Sequence, residues 1–145
     1  MPVVEETILI KRSPEEVFDF ATDPANVPLF SSNLIEFEQT SDGPVGKGTT
    51  NRGVTKVAGR SIEWTSEITE FDRGQLWASR SVKSPMAWEI EVQYEDDDGD
   101  TLIRWRQETA TFSGFFGKLA DPLVTRMYSK DVKSNLEKLK ELLEA

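Results

Sequence analysis

From Asp121 onward, Val124, Met127, Tyr128, Val132, Leu136, Leu139, Leu142 and Leu143 recur at steps of three and four residues, which aligns them on one face of an α-helix. Asp121 before Pro122 is a helix start signal. A helix from there to about Glu144 measures roughly 33 Å at 1.5 Å per residue, long enough to cross a whole sheet. The rest of the chain therefore has to supply a broad apolar surface for it. Immediately upstream, glycines at 114 and 117 flank Phe115 and Phe116 and argue against rigid helix, so "GFFGKLA" reads as a preceding turn or a lip.

The surface comes from strands. LIEFEQT (34–40), GTTNRGVTKVA (48–58), RSIEWTSEITEF (60–71), QLWASRSV (75–82), MAWEIEVQYE (86–95) and TLIRWRQETATF (101–112) are separated by glycines or short polar turns, the pattern of an antiparallel meander. Ile62, Trp64, Ser66 and Ile68 alternate with Glu63, Thr65, Glu67 and Thr69, and Trp88, Ile90, Val92 and Tyr94 alternate with Glu89, Glu91 and Gln93. Such strands belong to a sheet with one wet and one covered face. VVEETILIKR (3–12) adds a strand with Val4, Ile8 and Ile10 on one face, although Glu6 falls among them. In RSPEEVFDFATDP (12–24), Ser13 caps a helix, Pro14 takes its first position and Glu16 completes an S-x-x-E box. That helix runs to about Thr22, and its wide apolar surface either seals one end of a cup-shaped sheet or fills the core. Asp23-Pro24 starts a second short segment, which Pro28 keeps brief.

No repeat, linker or low-complexity tract divides the 145 residues, so 1–145 reads as one α+β domain able to bury roughly 70% of its unfolded surface. Seventeen Lys and Arg stand against twenty-six Asp and Glu, a net charge of −9. That field repels phosphates and anionic headgroups, so no nucleic-acid partner is expected. No apolar run reaches the length of a membrane span or a signal h-region, and with no Cys there is no disulfide framework, so a cytoplasmic protein without stable membrane insertion is expected.

The absence of His and Cys removes Ser-His-Asp hydrolysis, Cys-His catalysis and His-based zinc sites. A general acid or base would have to be Asp, Glu, Lys or Tyr with a strongly shifted pKa. Gly43 and Gly48 in GPVGKGTT have phosphate-loop spacing, but Thr49 stands where Lys is required and a strand follows, so the stretch is a turn. In EDDDGDTLIRWRQE, setting Gly99 at the sixth position of a calcium loop puts Tyr94 first and Trp105 twelfth, where Asp and Glu are needed. Asp98-Gly99 is instead a hairpin turn with a solvated acidic tip. Neither a metal nor a cofactor is expected.

The order strand, two short helices, six strands and one long helix resembles the START-like helix-grip fold of the SRPBCC superfamily. Within it, ILIKRSPEEVFDFATDPANVPLF, GPVGKGTT, ITEFDRGQLWASRS and LEKLKELLE are similar to the bacterial polyketide cyclase/dehydrase-like branch. The resemblance implies a curved antiparallel sheet of about seven strands gripped by the C-terminal helix, with a hydrophobic ligand held between them. None of these stretches is a catalytic signature.

The residues for such a cavity follow from the strand faces. Trp64, Trp88 and Trp105 offer large apolar area with one donor each, as a pocket wall for a flat molecule or as plain packing under the helix. Ser66, Gln107 and Thr109 are polar on inward faces and need partners in one another, water or a ligand. In LWASRSV either Arg80 or Trp77 points inward, and an inward Arg80 would orient a carboxylate or phenolate, although Arg is seldom fully buried. Met127 and Tyr128 face the sheet on the helical stripe, and Phe115 and Phe116 form a gate over the cavity or a partner-binding lip. The expected function is non-enzymatic binding of a small hydrophobic molecule (lipid, polyketide or another aromatic or isoprenoid-like compound), requiring a cavity above roughly 300 Å³. Two alternatives are a polyketide aromatase/cyclase that works chiefly by folding its substrate and a protein-interaction module with a filled core.

Overall fold

The computed structural model describes residues 3–57, 59–109 and 115–145, except the side chains of 57, 115–125, 127 and 128. Its elements are β1 (Val3–Ile10), α1 (Pro14–Thr22), α2 (Val27–Phe30), β2 (Leu34–Gln39), β3 (Thr50–Val57), β4 (Arg60–Asp72), β5 (Leu76–Lys83), β6 (Trp88–Asp97), β7 (Asp100–Thr109) and α3 (Phe115–Glu144). The strands form one antiparallel sheet in the order β1-β7-β6-β5-β4-β3-β2. It is the curved seven-stranded sheet of the helix-grip fold.

Local chemistry accounts for most boundaries. Ser13 Oγ accepts from Glu16 N at 3.3 Å and Pro14 opens α1, where an absent N–H costs nothing. Asp98 and Gly99 have φ of 53° and 90° between the paired residues Asp97 and Asp100, so β6 and β7 are joined by a two-residue turn with both central residues left-handed. β4 is 13 residues long, and its pairing with β5 slips at Thr65/Ser66 and again at Ile68/Glu70. Such irregularities bend a strand and deepen its twist, which makes the sheet concave.

α3 is assigned from Phe115, ahead of the expected start at Asp121; the cost of an internal glycine, about 1 kcal/mol, is small beside the packing of a 30-residue helix. The expected extension of β7 to residue 112 lies outside the described residues. Val132, Leu136 and Leu139 of α3 are buried with Val4, Ile10, Val92 and Ile103 of the sheet. Lys140 Nζ donates to Leu9 O at 2.8 Å, and Lys11 N donates to Glu144 Oε2 at 3.1 Å, fastening α3 along β1. Glu6, the misfit on the apolar face of β1, accepts a hydrogen bond from Ser129 Oγ at 2.8 Å.

α1 divides its surface between two tasks. Val17 and Phe18 are fully buried, with the Phe18 ring edge-on to Phe71 and Tyr94 at 5.0 Å. Ala21 and Thr22, one turn later, border the interior space described next. Among the described residues no helix is long and apolar enough to cross a membrane.

Candidate ligand cavity

Between the concave face of the sheet and α3 lies a cavity of about 390 Å³, partly open to solvent. Its floor follows from strand register, because residues directly opposite in an antiparallel pair share a face. One row across the sheet reads Gln107, Ile90, Ser79, Ile68. A neighbouring row reads Trp105, Val92, Trp77, and on the other side Thr109 faces Trp88 while Ser81, Ser66 and Asn51 continue through β5, β4 and β3. Val132, Leu136 and Leu139 of α3 form the roof.

Trp64, Ser66, Trp88, Trp105, Gln107 and Thr109 all border this space. The Trp64 ring stands perpendicular to Trp88 at 5.3 Å and lies 6.1 Å from Phe37, edge-to-face geometry that suits the quadrupoles of the two indoles. Trp64 Nε1 donates to Thr55 Oγ1 at 2.8 Å. Along β7, Trp105 Nε1 donates to Gln107 Oε1 at 3.2 Å and Gln107 Nε2 donates to Thr109 Oγ1 at 3.3 Å. Two of the three inward polar residues thus satisfy each other.

Arg80 is corrected: it does not border the cavity. It is exposed on the far face, with Nη2 3.9 Å from Glu67 Oε1. Trp77 and Ser79 take the inward positions of β5, so alternation turns Arg80 to water, where its charge stays hydrated. The side chains of Met127, Tyr128, Phe115 and Phe116 lie outside the described residues.

Several residues that form or support the wall were not singled out from sequence. Gly53, opposite Trp64 in register, leaves room for the indole: a Cβ there would come within 2.7 Å of Cε2 and closer still to Cζ2. A glycine inside a strand is itself a sign of close approach. Asn51 is 4% exposed and borders the cavity, and its Oδ1 is buried without a hydrogen-bond partner; the weak alternation of β3 hid its direction. Tyr94 was legible as an inward residue but not as a wall of the space.

The titratable groups among the described wall residues are Tyr94, Asp131 and Lys56. Burial pushes the Tyr94 phenol well above its ordinary value, so it stays protonated and can donate but not act as a base. Asp131 sits at the rim, where burial raises its carboxyl while the hydrogen bond from Asn33 Nδ2, at 2.7 Å, and the charge of Lys130 oppose the rise. Next to it, Asn135 Oδ1 accepts from Ser32 N at 3.2 Å and Ser32 Oγ at 3.3 Å, tying α3 to the segment before β2. These contacts make a rim of hydrogen-bonded polar groups around an aromatic interior.

A protein-family model described as "Polyketide cyclase / dehydrase and lipid transport" matches residues 1–144. The chain belongs to this family. No curated protein sequence matches it. Solved structures sharing the fold include a Thermus thermophilus protein, 21% identical with a TM-score of 0.86 over 97% of this chain and 95% of that one. The Zhui aromatase/cyclase from a Streptomyces species is 16% identical with a TM-score of 0.82, over 98% of this chain and 93% of that one. A START superfamily protein from Mycobacterium smegmatis is 12% identical with a TM-score of 0.78, over 98% of this chain and 97% of that one. At these identities the likeness is one of fold, and the wall residues above are described for this member of the polyketide cyclase / dehydrase and lipid transport family alone.

Proposed function

We propose that this member of the polyketide cyclase / dehydrase and lipid transport family is a single-domain carrier, spanning 1–145, that binds a small hydrophobic molecule between its sheet and α3. The observation that carries the reading is the cavity of about 390 Å³ with Trp64, Trp77, Trp88, Trp105 and Phe37 on its wall, in the size range of small-molecule sites and too large to be a packing defect. Flat aromatic or isoprenoid-like molecules suit indole walls better than flexible acyl chains, because they lose less conformational freedom on binding. Catalysis is secondary in this reading, since the described wall is chiefly aromatic and aliphatic and its Tyr94 phenol, held protonated by burial, cannot serve as a base. The net charge of −9 disfavours nucleic acid as a partner.

The test is direct. Protein purified under native conditions, extracted with organic solvent and compared by mass spectrometry with a blank, should yield a hydrophobic compound absent from the control. An empty extract together with no binding of hydrophobic probes would reject the carrier.

A second reading, an aromatase/cyclase acting on a poly-carbonyl chain, draws support from Tyr94, whose protonated phenol borders the cavity and could polarise a carbonyl. Its support from the fold is the likeness to the Streptomyces aromatase/cyclase. Incubating the protein with a reactive poly-β-ketone and scoring ring formation against a Tyr94→Phe variant separates turnover from carriage. A filled interior, the third alternative, conflicts with the cavity volume.

A further inference from the structure

Polar groups on the strands around the cavity floor are largely engaged with the protein itself. Ser79 Oγ of β5 donates to Glu67 O at 3.2 Å, and on β7 the side chains of Trp105, Gln107 and Thr109 bond one another. The Tyr94 hydroxyl on β6, between those strands, has no hydrogen bond among the described residues. Asn51 Oδ1 is the one unpaired side-chain oxygen or nitrogen among them with essentially no accessible surface, so the Tyr94 oxygen keeps an accessible face. Tyr94 is 6% exposed and borders the cavity, and that face looks into it. Buried polar groups in folded proteins are nearly always paired, so this hydroxyl calls for a partner from outside the chain.

The surroundings set the shape and charge of that partner. Tyr94 lies two residues beyond Val92 on the same face of β6, roughly 7 Å along the strand, and its ring is edge-on to Phe18 of α1. In register, Val92 is flanked by Trp77 of β5 and Trp105 of β7, both bordering the cavity. A flat ring lying over Val92 between the two indoles therefore reaches the hydroxyl with its edge. Ile103, opposite Tyr94, is buried and apolar. Lys56, the only described wall cation, is exposed on β3, with β4 and β5 between it and β6.

We propose that the Tyr94 hydroxyl anchors an acceptor oxygen of the guest, and hence that the guest is a flat, uncharged ring compound bearing a carbonyl, of the ring-ketone or quinone class. Burial holds the phenol protonated, so it donates its O–H to the carbonyl oxygen. A guest hydroxyl would accept the same bond but leave its own proton unpaired among Phe18, Val92 and Ile103, at the cost of an unmet buried donor. A carboxylate would bring its charge into an apolar wall with no buried cation among the described residues to offset it. The inference rests on the carrier reading and narrows its ligand class.

Calorimetric titration with α-tetralone, tetralin, α-tetralol and 2-naphthoate at neutral pH tests it. Tyr94→Phe keeps the ring against Phe18 and removes one oxygen; it should lower the affinity for α-tetralone about fivefold, the contribution of one neutral hydrogen bond, and leave that for tetralin unchanged. α-Tetralol and 2-naphthoate should bind the unmodified protein more weakly than α-tetralone. A measurement that needs no variant is the carbonyl-carbon NMR signal of isotope-labelled α-tetralone, which should lie downfield of its position in hydrocarbon solvent when bound to the unmodified protein. A bound signal at the hydrocarbon position, a ratio of α-tetralone to tetralin affinity unchanged by Tyr94→Phe, or tighter binding of α-tetralol or 2-naphthoate than of α-tetralone overturns the Tyr94 anchor and leaves the carrier standing. Binding of none of the four overturns both.

Discussion

Gly53 is worth a backbone position without a side chain because the Trp64 indole lies across it. Adding one methyl group should therefore either expel the ring or push β3 and β4 apart. Gly53→Ala is expected to destabilise the fold by about 1–3 kcal/mol and to shift the tryptophan emission spectrum, both measurable in one urea titration followed by fluorescence. A second expectation concerns Phe18, fully buried and edge-on to two other rings. Phe18→Ala should cost about 3–5 kcal/mol in the same titration, more than any substitution of an outward-facing strand residue. The two positions differ in legibility. Phe18 announced itself through the apolar spacing of a capped helix, whereas the interior glycine hinted at close approach without saying what approached, since that depends on a side chain from the neighbouring strand.

Among the elements, α3 is held at its rim side by Asp131 and Asn135, and Asp131 is the group whose charge burial opposes. Its folded-state pKa lies above the unfolded one, so the charged form costs stability at neutral pH, and that cost disappears as the pH falls through the folded value to below about 4, where both states are protonated. Asp131→Asn, which can keep the acceptor for Asn33, is accordingly expected to raise stability at pH 7 by less than about 1 kcal/mol, given partial solvent screening. That gain should vanish near a pH of about 3.5, below the ordinary carboxylate value, as read from thermal midpoints across a pH series. Equal gains at both pH values would show that the charge is not the cause. The hairpin between β6 and β7 belongs to the same scale: Gly99 has φ of 90°, so Gly99→Ala should cost about 1–2 kcal/mol, measured by denaturant midpoint. This turn was readable in the chain because Asp-Gly between alternating segments satisfies a local backbone requirement. The bulges of β4 were not, because a slip in register is a property of two strands together.

At the scale of the molecule, the cavity exists because a bent sheet cannot follow a straight helix: α3 meets β1 along one edge, and the curvature carries the centre of the sheet away from it. Filling that gap should abolish binding without unfolding the protein. Ile90→Phe, on the floor between Gln107 and Ser79, is expected to weaken a naphthalene-sized probe at least tenfold while changing the unfolding free energy by less than about 1.5 kcal/mol, and unchanged affinity would place the probe elsewhere. The sequence by itself determined the element order, the capped first helix, the Asp-Gly turn and which faces of β4, β6 and β7 are apolar, because each is dictated by spacings within a few residues. The tertiary structure alone decided that Arg80 faces water, that Gly53 lies under Trp64 and that Asn51 stands opposite Ser66 with its Oδ1 buried and unpaired, because those facts arise from pairing and curvature between separate segments of the chain.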